Sequence, residues 1–139
     1  MGLDIGSKRT GISISDENGT IAFPYKHIIA FKKEDWLRQI RAIIEEKEVN
    51  ALVIGIPLNQ HGEAGDDAKG IREYIALLQE RTALPLIELD ERFTTVQAER
   101  ILIDADMRRE KRKNVIDQVA ATILLQSYLD CKMSKPEPD

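Results

Sequence analysis

The stretch GLDIGSKRTG, residues 2–11, carries three glycines and one carboxylate, Asp4, set between Leu3 and Ile5. Alternate residues of a strand share a face, so Leu3 and Ile5 point one way and Asp4 sides with Gly2 and Gly6. This is the pattern of a strand entering a core with a charge on its other face. An ionised carboxylate in such a place is costly unless something pairs with it. The candidates are a metal ion, a phosphate-bearing ligand reached through one, or a nearby base such as Lys8 or Arg9.

Downstream, RTGISIS (9–15) and TIAFPYKHI (20–28) are β-rich runs joined by DENG, in which Asn18-Gly19 is a strong hairpin signal. Pro24 marks its run as an edge strand or the site of a bulge. From Glu34 the period changes, and Leu37, Ile40, Ile43 and Ile44 recur at helical spacing with Trp36 beside them. ALVIGIP (51–57) is a continuous apolar run, the sign of a strand covered on both faces. PLNQHGEAG reads as a loop. Helical spacing returns over 66–82 at Ala68, Ile71, Ile75 and Leu78, and LIELDE (86–91) reads as another buried strand. TTVQAERILID opens with Thr94 and Gln97 in capping-box spacing and predicts a helix. A basic loop follows, then a last helix over NVIDQVAATILLQSYLD with Asn114 as N-cap.

The order β-β-β-α-β-α-β-α-α predicts a mixed three-layer α/β domain, five strands with helices on both faces, over residues 1–132 with 133–139 as a tail. Ligands in such sheets gather at the carboxyl ends of the parallel strands. Asp4, the loop after Pro57 and Asp90-Glu91 all fall there.

Composition narrows the function. Of the 139 residues 32% are charged and 5% aromatic, the balance of a folded aqueous domain. No apolar run reaches the ~20 residues that span a bilayer, and no signal segment is visible. The single cysteine, Cys131, rules out an internal disulfide and fits a reducing cytoplasm. A net charge of −4 does not by itself point to nucleic acid. Yet RREKRK (108–113) holds five basic residues and one acidic, a local +4 that leaves −8 on the remaining 133 residues. Such a cluster is a binding patch or a solvated loop.

Three carboxylates stand out. Asp4 lies in the first strand, Glu91 ends a later one, and Asp117 lies in the last helix, sharing a face with Ala120, Ala121 and Leu124. It is offset by about 100° from the polar stripe Gln118, Thr122 and Gln126. Each has a plain alternative: Asp4 with Lys8 or Arg9, Glu91 with Arg92 or Arg100, Asp117 with the helix dipole. Together they suit a hard divalent cation, which prefers oxygen ligands. Two such ions about 4 Å apart can activate water and stabilise a leaving oxygen in phosphodiester hydrolysis.

At this point the residues meet a resemblance. GLDIGSKRTGISISD, VIGIPLNQHGEAG, DERFTT with AERILIDAD, and KRKNVIDQVAATILLQSYLD resemble, in order and spacing, the signature blocks of the YqgF (RuvX) family. Its members are ribonuclease H-like proteins, described as Holliday junction resolvase-like or as pre-16S ribosomal RNA nucleases. The resemblance implies a ribonuclease H-like fold and a Mg²⁺ or Mn²⁺ nuclease with catalytic, metal-binding carboxylates at Asp4, Glu91 and Asp117. It also implies a nucleic-acid partner, structured RNA or branched DNA, no membrane, and a monomer or weak homodimer. Relatives carry a few more residues before the first strand, whereas only Met1 to Leu3 precede Asp4 here.

The nucleic-acid contacts expected are Lys8, Arg9, Asn59, Gly62 and Arg92, with Arg108, Arg109, Lys111, Arg112 and Lys113 from the basic segment. His61 is a weaker candidate for moving protons. His27 reads as a strand surface residue, and Trp36 as packing. Two rivals remain. LDIGSKRTG also resembles the first phosphate loop of actin-like ATPases, which use two such domains around a nucleotide. A non-catalytic RNA-binding assembly factor would keep the carboxylates for structure.

Overall fold

The alternation in the opening strand sorts the domain into layers. The computed structural model describes residues 1–6, 8–57, 66–90 and 109–134. Three antiparallel strands, β1 (Gly2–Ile5), β2 (Arg9–Ser15) and β3 (Ala22–Ile29), are followed by α1 (Lys33–Glu46), β4 (Leu52–Ile56), α2 (Asp66–Arg81), β5 (Leu86–Asp90) and α3 (Arg109–Ser134). They form one mixed sheet in the order β3-β2-β1-β4-β5, with β1, β4 and β5 parallel. The helix predicted over 94–104 lies outside the described residues.

Leu3, Ile5, Ile12, Ile28, Leu52, Ile54 and Ile56 bury one face of the sheet against Leu37, Ile40 and Ile43 of α1 and Ile71, Ile75 and Leu78 of α2. The opposite face packs Val53, Ile87 and Leu89 against Leu124, Leu125 and Leu129 of α3. The continuous apolar run of β4 is thereby explained, because all five of its residues are buried.

The hairpin is where Asn18-Gly19 places it. Gly19 takes φ +68°, and its N–H donates to the Asp16 carbonyl at 3.1 Å. Both readings of Pro24 hold: β3 is an edge strand, and the register jumps from Ile12–Lys26 to Ser13–Pro24, leaving Tyr25 as the bulged residue. Helix α1 ends in a paired cap, with Val49 N–H donating to the Ile44 carbonyl and Glu48 N–H to Glu45. Glu48 occupies the left-handed position, at φ 52°.

Three expectations need correction. β5 is half-buried to exposed rather than buried, because it lies at the sheet's other edge. The last helix begins at Arg109, so Asn114 is inside it and not at its cap. Arg, Glu and Lys are good helix formers and extend the helix backward through the basic segment. That segment, read as a loop, is helical from Arg109 onward. The same helix runs to Ser134.

Candidate active site

Asp4 lies on β1 beside Gly11 of β2, which lies beside His27 of β3. Residues directly across a ladder point to the same face. Gly2 identifies that face as the α3 side: a Cβ built on it would stand 2.4 Å from Ser13 Oγ and 2.8 Å from the Ala121 carbonyl oxygen. The glycine is therefore required by the close approach of α3 to the sheet. Asp4, two residues on, is half-buried on the same side.

Polar side chains hold α3 there. Ser13 Oγ donates to the Ala121 carbonyl at 2.7 Å. The stripe of Gln118, Thr122 and Gln126, four residues apart in an apolar helix, proves to run along β3 and the hairpin. Gln126 accepts from Ala22 N–H at 2.9 Å and donates to the Thr20 carbonyl at 3.0 Å, acting as a piece of extra backbone for the edge strand. Gln118 Nε2 lies 3.2 Å from His27 Nδ1. Thr122 bonds back to the Gln118 carbonyl. His27 is accordingly half-buried and tied to α3, and not simply a strand surface residue. The unused signal was the polar stripe itself, which needed a polar partner.

Asp117 is placed by its backbone. It precedes Ala120 and Ala121, both buried against the sheet, by three and four residues, and so sits at the face of α3 that meets β1 and β2. The structure thus brings the Asp4 and Asp117 positions to one side of the sheet. The Asp117 side chain, like Glu91, lies outside the described set. Among the described residues no cluster of three or more His, Cys, Asp or Glu is assembled.

Lys8 and Arg9 are exposed at the turn joining β1 to β2, where Gly6 N–H donates to the Arg9 carbonyl at 2.8 Å. Arg109, Lys111, Arg112 and Lys113 occupy the opening turns of α3. Asn59, Gly62, Arg92 and Arg108, with His61, lie outside the described residues.

Trp36, expected to be packing, also makes a polar contact, with Nε1–H donating to Thr10 Oγ1 at 2.9 Å in the core under α1. Among the described residues no helix is long and apolar enough to cross a membrane.

The chain matches the RuvX family, described as Holliday junction resolvase, over residues 1–131. A protein of Geobacillus sp. (strain WCH70) named "Putative pre-16S rRNA nuclease" is 44% identical over 134 residues, covering 95% of this chain and 97% of that one. A protein of the same name from Halothermothrix orenii is 45% identical over 130 residues, covering 94% and 93%. Among solved structures, Thermus thermophilus RuvC in complex with a Holliday junction substrate superposes with a TM-score of 0.61 at 10% identity, over 99% of this chain and 97% of that one. Fowlpox virus resolvase with its junction DNA gives 0.59 at 13% identity, over 95% and 97%. At such identities these two likenesses speak to the fold alone, and that fold is ribonuclease H-like.

Proposed function

This chain belongs to the RuvX family, and from that premise we propose that it is a metal-dependent nuclease acting in the cytoplasm on the 5′ end of pre-16S ribosomal RNA. The observation that carries the reading is the position of Asp4: half-buried on the central strand, on the face covered by the helix that bears Asp117. Glu91 follows β5 directly in sequence. These three carboxylates are the catalytic and metal-binding groups of the proposal.

The donor set fits Mg²⁺ or Mn²⁺. Carboxylate oxygens are the ligands hard divalent ions prefer, and Mg²⁺ in particular is completed by substrate phosphates. Bound there, a pair of ions would supply an activated water and stabilise the charge of the departing oxygen. The chain's own part is positional. β1 fixes Asp4, α3 fixes Asp117 through its close contact at Gly2 and Ser13, and the basic opening of α3 holds the phosphate backbone near both. The names of the close relatives favour ribosomal precursor RNA as substrate.

The family's own description supports a second reading, cleavage of four-way DNA junctions. One experiment covers both: manganese-dependent cleavage of a precursor 5′ segment, a single-stranded RNA and a four-way junction, with Asp4→Asn as control. Cleavage of the precursor, lost in Asp4→Asn, is the expected result. Junction cleavage alone would favour the second reading. Precursor binding with no cleavage of any substrate would replace both with an assembly factor.

A further inference from the structure

The four exposed large apolar side chains among the described residues all belong to one segment: Ile21, Phe23, Ile29 and Phe31. Phe31 is the extreme case, 85% exposed immediately after β3. The same stretch, residues 20–33, contains three lysines, one histidine and no acidic residue, on a chain of net charge −4. Ile21 and Phe23 lie at the hairpin end of β3, and Ile29 and Phe31 at its other end, where Lys32 and Lys33 follow.

The topology says where this segment leads. β1 and β3 are each antiparallel to β2 and so run in the same direction, which brings the carboxyl end of β3 to the same edge of the sheet as those of β1, β4 and β5. Ile5 is level with Thr10, and Thr10 with Ile28. Ile29, in line with Arg9 on the face that carries His27 and Asp4, therefore lies at that end of the sheet, two strand spacings, about 10 Å, to one side of β1, and Phe31 and Lys32 follow it where the chain leaves β3 for α1. Arg9 is directly opposite Ile29, and Lys8 precedes it. Exposed apolar surface at Ile29 and Phe31, with Arg9 across from Ile29 and Lys8 and Lys32 next in sequence, thus lies at the end of the sheet that carries Asp4.

We propose that this end of β3 is a rest for single-stranded nucleic acid, in which Phe31 stacks against a base while Arg9 and Lys32 hold the backbone beside it. The inference rests on the nuclease reading and gives it a substrate preference, for a strand whose bases are free to stack. Aromatic side chains beside basic ones are the ordinary means of gripping a single strand without regard to sequence. A second copy of the chain is the poorer occupant. The bulge at Tyr25 and the missing N–H of Pro24 obstruct strand addition along β3, and two such basic segments would repel.

The test is binding by the full chain without divalent metal, so that nothing is cleaved. The probes are a short single-stranded RNA, the same RNA as a duplex, and inorganic polyphosphate, which has charge but no bases. Phe31→Ala should weaken single-strand binding about tenfold, Phe31→Tyr should restore it, and duplex and polyphosphate binding should not change. Phe31 is exposed, so an unchanged melting temperature will show that the variant is folded. Equal single-strand binding by Phe31→Ala and the wild type would overturn the proposal, as would a matching loss on polyphosphate. A wild-type dimer dissolved by Phe31→Ala, with RNA binding intact, would reassign the patch to self-association. Wild-type cleavage of a precursor that Phe31→Ala binds normally would sink this inference and leave the nuclease standing. No nucleic-acid binding by the wild type would end both.

Discussion

Ser13 Oγ donates a 2.7 Å hydrogen bond to the carbonyl of Ala121, joining two buried residues 108 positions apart in sequence. It pins α3 to β2 where Gly2 leaves room for the helix backbone, and so sets how the helix bearing Asp117 meets the strand bearing Asp4. Gly2→Ala would place a methyl 2.4 Å from Ser13 Oγ and 2.8 Å from that carbonyl. Urea unfolding should show a loss of about 1–3 kcal/mol for overpacking. Ser13→Ala should cost less, about 1 kcal/mol, since only one hydrogen bond disappears. The two losses should not add, because removing Oγ opens space for the methyl.

Thr10 and Trp36 form a second test. Thr10→Val leaves the buried indole N–H without its acceptor and should cost about 1–3 kcal/mol. Following it with Trp36→Phe removes the orphaned donor, and the double variant should recover part of that loss. Full additivity in a double-mutant cycle would show that the contact contributes nothing.

The hairpin gives a pH dependence. The Asp16 carboxylate accepts from the N–H groups of Thr20 and Ile21 at 2.7 and 3.1 Å. These bonds, first that from Thr20, hold its pKa below the ordinary carboxylate value. A folded pKa below the unfolded one means that the stabilisation is complete above the unfolded pKa, about 3.9. It is lost as pH falls through the lowered folded value. Asp16→Asn should flatten the acid limb of the melting-temperature profile below about pH 4, with little change in slope near neutrality.

Glu48 occupies a left-handed position, φ 52°, that glycine fills without strain. Glu48→Gly should raise stability by about 1 kcal/mol, relief of the Cβ contact exceeding the entropy cost of glycine. A lower melting temperature would show that the glutamate side chain matters more than its backbone.

The basic opening of α3 should trade stability for binding. Replacing Arg108, Arg109 and Lys111 by alanine removes positive charge, that of Arg109 and Lys111 from the opening of a helix whose dipole it opposes, and should raise the melting temperature slightly. If about four basic residues contact a single-stranded backbone, the slope of log K against log salt should be near −3, and the triple variant should flatten it by about 2. An unchanged slope would return the segment to a solvated helix end.

Much of this molecule was legible along the chain, because turns, strands and helices leave local marks. Asn18-Gly19 marks the hairpin, Pro24 the edge and its bulge, the apolar run at 51–57 the doubly covered strand, and the spacing of Leu37, Ile40 and Ile43 the buried face of α1. Asp4 was legible too, since a carboxylate alternating with core residues is anomalous in any fold. The tertiary structure decided the rest. Asn114 has the chemistry of a cap, yet the helix-forming residues before it carry α3 back to Arg109. LIELD has the composition of a buried strand, yet its place at the sheet edge leaves it half open. His27 looks like a surface residue until the hairpin register puts it in line with Gly11 and Asp4, and α3 brings Gln118 against it from 91 positions away. Periodicity tells which residues share a face. Only the packing of distant elements tells what that face meets, and Ser13, His27 and Gln118 owe their partners to that.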